Sequence, residues 1–239
     1  MALAQVTSQD HVVEIGPGRG ILTRVLAARA GALTAIELDE RWHAALQTEF
    51  AAAANVRLVH ADALTYPFED LESPMKVVAN LPYYLSTPIL FRLLGLRARV
   101  SVMVLMLQRE VVDRLVARPG TKAYGALSVV VAYAAEVRKG FAVAPGSFTP
   151  RPAVDSAVVT ITPRSVPPIA VRDEAVLIRL VRAAFAHRRK MLPNTLRDEG
   201  FDAARLAVAL HQAGIEGTRR GETLDLVEFG RLADALVED

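Results

Sequence analysis

The run Lys76-Val-Val-Ala-Asn80-Leu-Pro82-Tyr83 constrains the fold more than any other stretch of the chain. Strand-type sequence from Lys76 to Asn80 runs straight into a proline, which removes a backbone donor and fixes φ. Ser86-Thr87-Pro88 then reads as a helix start, with Thr87 suited to cap it and Pro88 to the first turn. Asn80 to Tyr83 therefore form a rigid loop at the C-terminal end of a buried strand, where open α/β sheets place ligands. The loop offers an amide, a backbone carbonyl and an aromatic ring, a set able to hold a flat, amino-bearing ring such as adenine.

The rest of the N-terminal half alternates strand and helix patterns. HVVEI (His11 to Ile15) precedes Gly16-Pro-Gly18-Arg-Gly20 and a helix from Ile21 to Ala30. Glycines after a strand let backbone approach a ligand at the next helix. Their G-x-G-x-G spacing is not the dinucleotide G-x-G-x-x-G, so nicotinamide and flavin binding are disfavoured. A second strand, Leu33 to Leu38, carries Glu37 about 20 residues beyond the glycines, where an acidic side chain accepts hydrogen bonds from a ribose diol. Asp39 is expected to cap the next helix, Glu40 to Ala53, on which Trp42 packs and His43 faces solvent. Asp62 follows a third strand, Val56 to His60, and suits either a turn or an exocyclic amino group. A helix from Thr87 to Leu96 and an apolar strand from Val100 to Leu107 come next.

Beyond Leu107 the pattern predicts a helix from Arg109 to Ala117, an apolar helix from Tyr124 to Ala134, and two further strands, Val137 to Val143 and Ala157 to Thr162. Phe148-Thr-Pro150-Arg-Pro152 lies between those strands, with Phe148 either a packing residue or a stacking platform. Pro163, Pro167 and Pro168 read as a linker, and only helical patterns follow, so the chain divides into residues 1–163 and a helical domain over 164–239. The strand-end candidates Gly16, Gly18, Glu37, Asp62 and Asn80 would share one crevice of a parallel sheet. They suit a nucleoside cofactor without phosphate, since no P-loop lysine accompanies the glycines.

Bulk properties are consistent with this. The chain has 239 residues, 52% of them apolar, which makes it globular. It has no cysteine and hence no disulfide framework or thiolate metal site. The longest nearly apolar run, Ala126 to Ala135, falls short of the roughly 18 residues of a membrane span. No signal-peptide pattern precedes His11, and a cytoplasmic protein is expected. The net charge of +2 permits a nucleic-acid partner without demanding one. Arg179, Arg182, Arg188, Arg189 and Lys190 form a late basic cluster that by itself reads as a solvated helix face.

The segments VVEIGPGRGILT, AIELD, HADAL, VVANLPYYLSTPI, KAYGALSV, FTPRPAVDSAVV and RRKMLPNTL together resemble the ribosomal RNA adenine dimethyltransferases (the KsgA family), over nearly the whole chain. The resemblance implies a Rossmann-like class I methyltransferase sheet, mostly parallel with seven strands, followed by a small helical domain. It implies S-adenosylmethionine as cofactor and no metal. Gly16 and Gly18 would approach its methionine and ribose, Glu37 its ribose hydroxyls, Asp62 its adenine amino group, and Asn80 both cofactor and target base. Asn80 and the Leu81 carbonyl would orient the target N6, Pro82 would stiffen the loop, and Tyr83 and Phe148 would stack on the base. Arg188, Arg189 and Lys190 would contact RNA phosphates.

The implied substrate is a pair of adjacent adenosines in the 3′-terminal hairpin loop of 16S rRNA, within the small ribosomal subunit or its precursor, methylated by a monomer. The alternatives are a 23S rRNA adenine methyltransferase of the macrolide-resistance type and a non-catalytic assembly factor binding the small subunit. The family's N-terminal Gly-Gln-x-Phe-Leu segment, which covers part of the cofactor, has no counterpart here, and weak binding of S-adenosylmethionine is expected from the chain as given.

Overall fold

A computed structural model describes residues 2–148, 153–187 and 189–237. The chain divides into two compact units, one made of Met1–Val112 with Ala135–Ser165 and the other of Asp113–Ala134 with Val166–Asp239.

The first unit is built on a seven-strand sheet. Its strands are β1 (His11–Ile15), β2 (Ala32–Glu37), β3 (Val56–His60), β4 (Met75–Asn80), β5 (Val100–Gln108), β6 (Ala135–Val143) and β7 (Ser156–Pro163), in the order β3-β2-β1-β4-β5-β7-β6. The first five run parallel, and β7 lies antiparallel between β5 and β6. β1, β2 and β4 are buried over most of their length, as parallel strands covered on both faces must be. Edge strand β3 alternates between half-buried and exposed residues. The helices are α1 (Ile21–Ala27), α2 (Glu40–Glu49) and α3 (Ser86–Gly95), and α4 (Arg109–Leu115) straddles the division at Val112.

Three boundaries differ from the sequence expectation for local reasons. α1 stops at Ala27 because the Asn55 amide donates to the carbonyls of Ala27 and Ala30, taking up the end of the helix from outside. α2 closes at Phe50 and does not reach Ala53. Thr87 does not cap α3: a single 3-10 turn, Tyr83–Leu85, leads directly into the helix, so the Asn-Leu-Pro-Tyr turn itself supplies the entry. Asp39 does cap α2, accepting from the backbone N–H groups of Arg41 and Trp42.

The second unit is helical, with α5 (Ala126–Ala134), α6 (Glu174–Ala184), α7 (Leu192–Asp198), α8 (Ala203–Ala213) and α9 (Leu226–Leu236). The single boundary expected at residue 163 does not describe it, because residues 113–134 belong to this unit. The reason is burial. α5 is apolar nearly all round, and such a helix needs cover on every side, which α6 and α9 provide. Just before it, the buried Tyr124 donates its hydroxyl to the Leu224 carbonyl at 2.8 Å and meets the Phe185 ring edge-on. Asp225 and Glu228 form the capping box of α9. Among the described residues, no helix is long and apolar enough to cross a membrane.

Candidate active site

The turn after β1 needs its glycines. Gly16, Gly18 and Gly20 all adopt positive φ, at 68°, 52° and 74°, a region that side chains penalise. A Cβ on Gly16 would touch Pro82 Cδ at 3.5 Å, so the glycine turn lies against the Asn-Leu-Pro-Tyr loop. A Cβ on Gly18 would meet nothing within 4 Å, which leaves its backbone open to a ligand. A Cβ on Gly20 would sit 2.6 Å from Leu46 Cδ2, tying the turn to α2.

Glu37, at the end of β2, braces this turn. One carboxylate oxygen accepts from Gly18 N at 2.8 Å and the other from Asp39 N at 2.9 Å. Each oxygen retains a second lone pair that a ribose hydroxyl could use. Asp62 follows β3 and accepts from Leu64 N at 2.8 Å, the turn role that its sequence position permitted. The Arg92 guanidinium of α3 donates to the carbonyls of Leu64 and Tyr66, pinning the segment that carries Asp62.

At the end of β4, Asn80 pairs in register with Met106 of β5 and exposes its side chain. Leu81 buries its side chain and donates its N–H to the Met106 carbonyl at 3.3 Å. Pro82 sits at φ −54°, and Tyr83 begins the short turn that enters α3. The Tyr83 hydroxyl is hydrogen-bonded to Ser156 Oγ, at the start of β7, at 2.9 Å.

A cavity of about 830 Å³ opens beside these loops, with Glu14, Gly16, Gly18, Asn80, Trp42 and Phe148 on its wall. That volume lies in the range of sites for small molecules and cofactors. Val78, Val104 and Val158 from three neighbouring strands form its apolar floor. Gly16, Gly18, Asn80 and Phe148 are thus gathered at one opening. Glu37 and Asp62 sit at the adjoining strand ends and do not line this cavity.

The basic residues belong to the helical unit. Arg189 is exposed, and Lys190 Nζ pairs with Asp198 Oδ2 at 2.6 Å. Arg179 lies over the Phe201 ring, 4.5 Å from its centroid. Arg188 lies outside the described residues, as do residues 149–152 of the Phe148 loop.

Sequence reasoning missed three site residues. Trp42 does not pack into the core: it is 38% exposed at the cavity wall, with the Arg19 guanidinium 5.7 Å from its ring centroid. Ser156 gave no signal, because its partner Tyr83 is 73 residues away. Glu14 did give one, a carboxylate following two valines inside a central strand.

A mostly parallel seven-strand sheet with β7 reversed, a glycine turn after β1 and an acidic residue closing β2 define a Rossmann-like methyltransferase domain. The chain belongs to the ribosomal RNA adenine dimethylase family, whose model matches residues 1–232. The ribosomal RNA small subunit methyltransferase A of Moorella thermoacetica is 48% identical, over 98% of this chain and 85% of that protein. A dimethyladenosine transferase from Plasmodium falciparum has a similar structure, with TM-score 0.78 and 26% identity over 97% of this chain and 91% of that one. The 23S rRNA methyltransferase ErmE matches with TM-score 0.67 and 26% identity, over 98% of this chain and 94% of its own.

Proposed function

We propose that this protein transfers methyl groups from S-adenosylmethionine to N6 of two adjacent adenosines in the 3′-terminal hairpin loop of small-subunit rRNA, giving N6,N6-dimethyladenosine. The reaction is assigned to the cytoplasm, to a monomer and to small-subunit maturation. The observation that carries this reading is the meeting of the glycine turn and the Asn-Leu-Pro-Tyr loop, with Gly16 against Pro82, in a chain of this family.

The residues fit the cofactor. The open face of Gly18 admits a close approach, the cavity has room for a nucleoside with an amino-acid tail, and a buried carboxylate oxygen of Glu14 stands without a partner on its wall. Bound S-adenosylmethionine supplies an electrophilic methyl group on a sulfonium. Glu37 would hold the ribose hydroxyls and Asp62 the adenine amino group, each through lone pairs left over from its backbone bonds.

The target N6 is a poor nucleophile because its lone pair is delocalised into the ring. Asn80 Oδ1 and the Leu81 carbonyl accept hydrogen bonds from the amino group, aim it and favour a more tetrahedral nitrogen. Pro82 keeps that carbonyl oriented. Tyr83 and Phe148 stack on the two faces of the extruded base. No protein base is needed before attack, since the amine becomes strongly acidic once methylated. In the helical unit, Arg189 contacts phosphate directly, and Lys190 does so by exchanging Asp198 for a phosphate.

The test supplies labelled S-adenosylmethionine with unmethylated small subunits, large-subunit RNA or DNA, and analyses the nucleosides. Dimethyladenosine from small subunits alone is expected. Methylation of large-subunit RNA alone would move the assignment to the ErmE type. Tight binding to small subunits without transfer would make the protein an assembly factor.

The Tyr83–Ser156 bond makes a separate prediction. Ser156→Ala frees the ring that stacks on the base and is expected to lower kcat/KM for RNA about tenfold, the scale of one lost buried hydrogen bond. Affinity for S-adenosylhomocysteine should not change, and Ser156→Thr should restore activity. An Ala variant with full activity would show that the tether plays no part.

A further inference from the structure

Arg92 lies in the last turn of α3, the helix that the Asn-Leu-Pro-Tyr loop leads into. Its guanidinium is part-buried and donates from two nitrogens, Nη1 to the Leu64 carbonyl and Nη2 to the Tyr66 carbonyl. It also lies over the Phe68 ring, 5.4 Å from the centroid. Phe68 is fully buried and meets Tyr66 edge-on, with ring centroids 5.2 Å apart. Neither hydrogen-bond acceptor is a carboxylate. Taking a guanidinium partly out of water costs hydration, and an apolar side chain would fill the same space without that cost. What the guanidinium supplies is direction: its rigid planar fork fixes two carbonyls at once.

Those two carbonyls belong to the turn that carries Asp62. The N–H groups of the turn converge on Asp62: Leu64 N donates to Asp62 Oδ1 at 2.8 Å, and Thr65 N and Tyr66 N donate to the Asp62 carbonyl at 3.0 and 2.9 Å. Its carbonyls at Leu64 and Tyr66 converge on Arg92. Leu64 stands in both sets, so the residue that orients the Asp62 carboxylate is itself held by Arg92. Fixing Leu64 sets where Asp62 Oδ2 stands, the oxygen that the turn leaves for a ligand. Arg99 Nη2 donates to the Leu71 carbonyl at 2.6 Å and holds the same segment beyond the turn.

We propose that Arg92 is a positioning residue for the adenine end of the cofactor: it sets the Asp62 carboxylate where it accepts from the adenine amino group, and it ties that turn to the helix entered from the Asn-Leu-Pro-Tyr loop. This deepens the cofactor reading above and rests on it, since Asp62 is there the acceptor for that amino group. Arg92 itself touches neither cofactor nor RNA; its effect runs through Leu64 to Asp62. Removing the fork leaves the internal bonds of the turn in place, but the carboxylate loses the restraint that aims it. The loss falls on the amino contact and spares the ribose and methionine ends, whose residues follow β1 and β2.

Calorimetry on the full chain reads this with two probes, S-adenosylhomocysteine and S-inosylhomocysteine. The second carries an oxygen in place of the adenine amino group and so presents an acceptor where Asp62 needs a donor. Wild type should prefer S-adenosylhomocysteine about thirtyfold, the scale of one charge-assisted hydrogen bond. Arg92→Ala should bind S-adenosylhomocysteine about tenfold more weakly and S-inosylhomocysteine within about twofold of wild type, which lowers the preference to about threefold. In methyl transfer the same variant should raise KM for S-adenosylmethionine about tenfold and keep kcat within about twofold. Arg92→Lys keeps the charge and the stem but cannot span both carbonyls, so its preference should fall between the two; it decides the matter if Arg92→Ala does not fold. Arg99→Ala also frees a backbone carbonyl of this segment, away from Asp62, and should keep the wild-type preference.

A wild-type preference that survives in the Arg92 variants overturns the assignment and leaves the Asp62 reading intact. Equal weakening of both probes in those variants also overturns it, because Arg92 would then only support the fold. An equal fall in preference in Arg99→Ala overturns it as well, since any loosening of the segment would suffice. A wild type that binds both probes equally overturns the Asp62 reading, and a wild type that binds neither overturns the cofactor reading, each taking this assignment with it.

Discussion

Asn80→Ala is expected to lower methyl transfer to RNA by about a thousandfold, the scale seen when a positioned acceptor or donor is removed from a reacting centre. Affinity for small subunits should stay within a few-fold of wild type. Asn80 sits at the last paired position of β4, and the backbone there is held by the register with Met106 and by the Leu81 N–H bond to the Met106 carbonyl. The Asn80 side chain is exposed at the cavity wall and carries none of these bonds. Truncating it removes the acceptor for N6 and leaves the strand end in place. Single-turnover transfer to unmethylated small subunits, with filter binding on the same preparation, measures the two effects separately. Transfer at the wild-type rate would sink the mechanism.

Gly20→Ala is expected to destabilise the protein by about 3 kcal/mol, combining the left-handed penalty with overpacking. Gly20 has φ 74°, and the added Cβ would lie 2.6 Å from Leu46 Cδ2. Leu46 is only 2% exposed, so its side chain has little space to retreat into. Gly18→Ala is the contrast. Its φ of 52° carries the same kind of penalty, but the new Cβ meets open space, so it should lose about 1 kcal/mol of stability. It should nevertheless impair cofactor binding, because the methyl fills the face left open to a ligand. Denaturant unfolding of both variants, with calorimetric titration of S-adenosylhomocysteine, checks the pair. Equal stability losses would show that the contact with Leu46 is relieved at little cost.

Local chemistry made much of this site readable before the fold was known. The G-x-G-x-G run already marked a turn where backbone could approach a ligand, and all three glycines take positive φ there. A strand ending in Asn-Leu-Pro-Tyr could only deliver those groups to a sheet edge. Asp39 announced its cap through a side chain that bonds the next turn, a relation spanning three residues. The Thr87 cap failed for an equally local reason: the Pro82 turn already enters the helix.

Strand periodicity, glycine positions and turn residues were enough to specify a parallel sheet with its ligand loops at one end of the strands, because these features act over a few residues of chain; the resemblance to a family added the Rossmann-like methyltransferase form. Folding in three dimensions settled the rest. Segment 113–134 joined the helical unit, where its apolar helix α5 packs against α6 and α9. Glu37 spent its strongest hydrogen bonds on the glycine turn, and Tyr83 acquired a tether 73 residues away. The single carboxylate in β1 became an orphan on the cavity wall. A sequence shows which groups are charged or polar. Whether each is paired, buried or left facing a cavity depends on neighbours brought in from distant parts of the chain, and those neighbours set its chemistry.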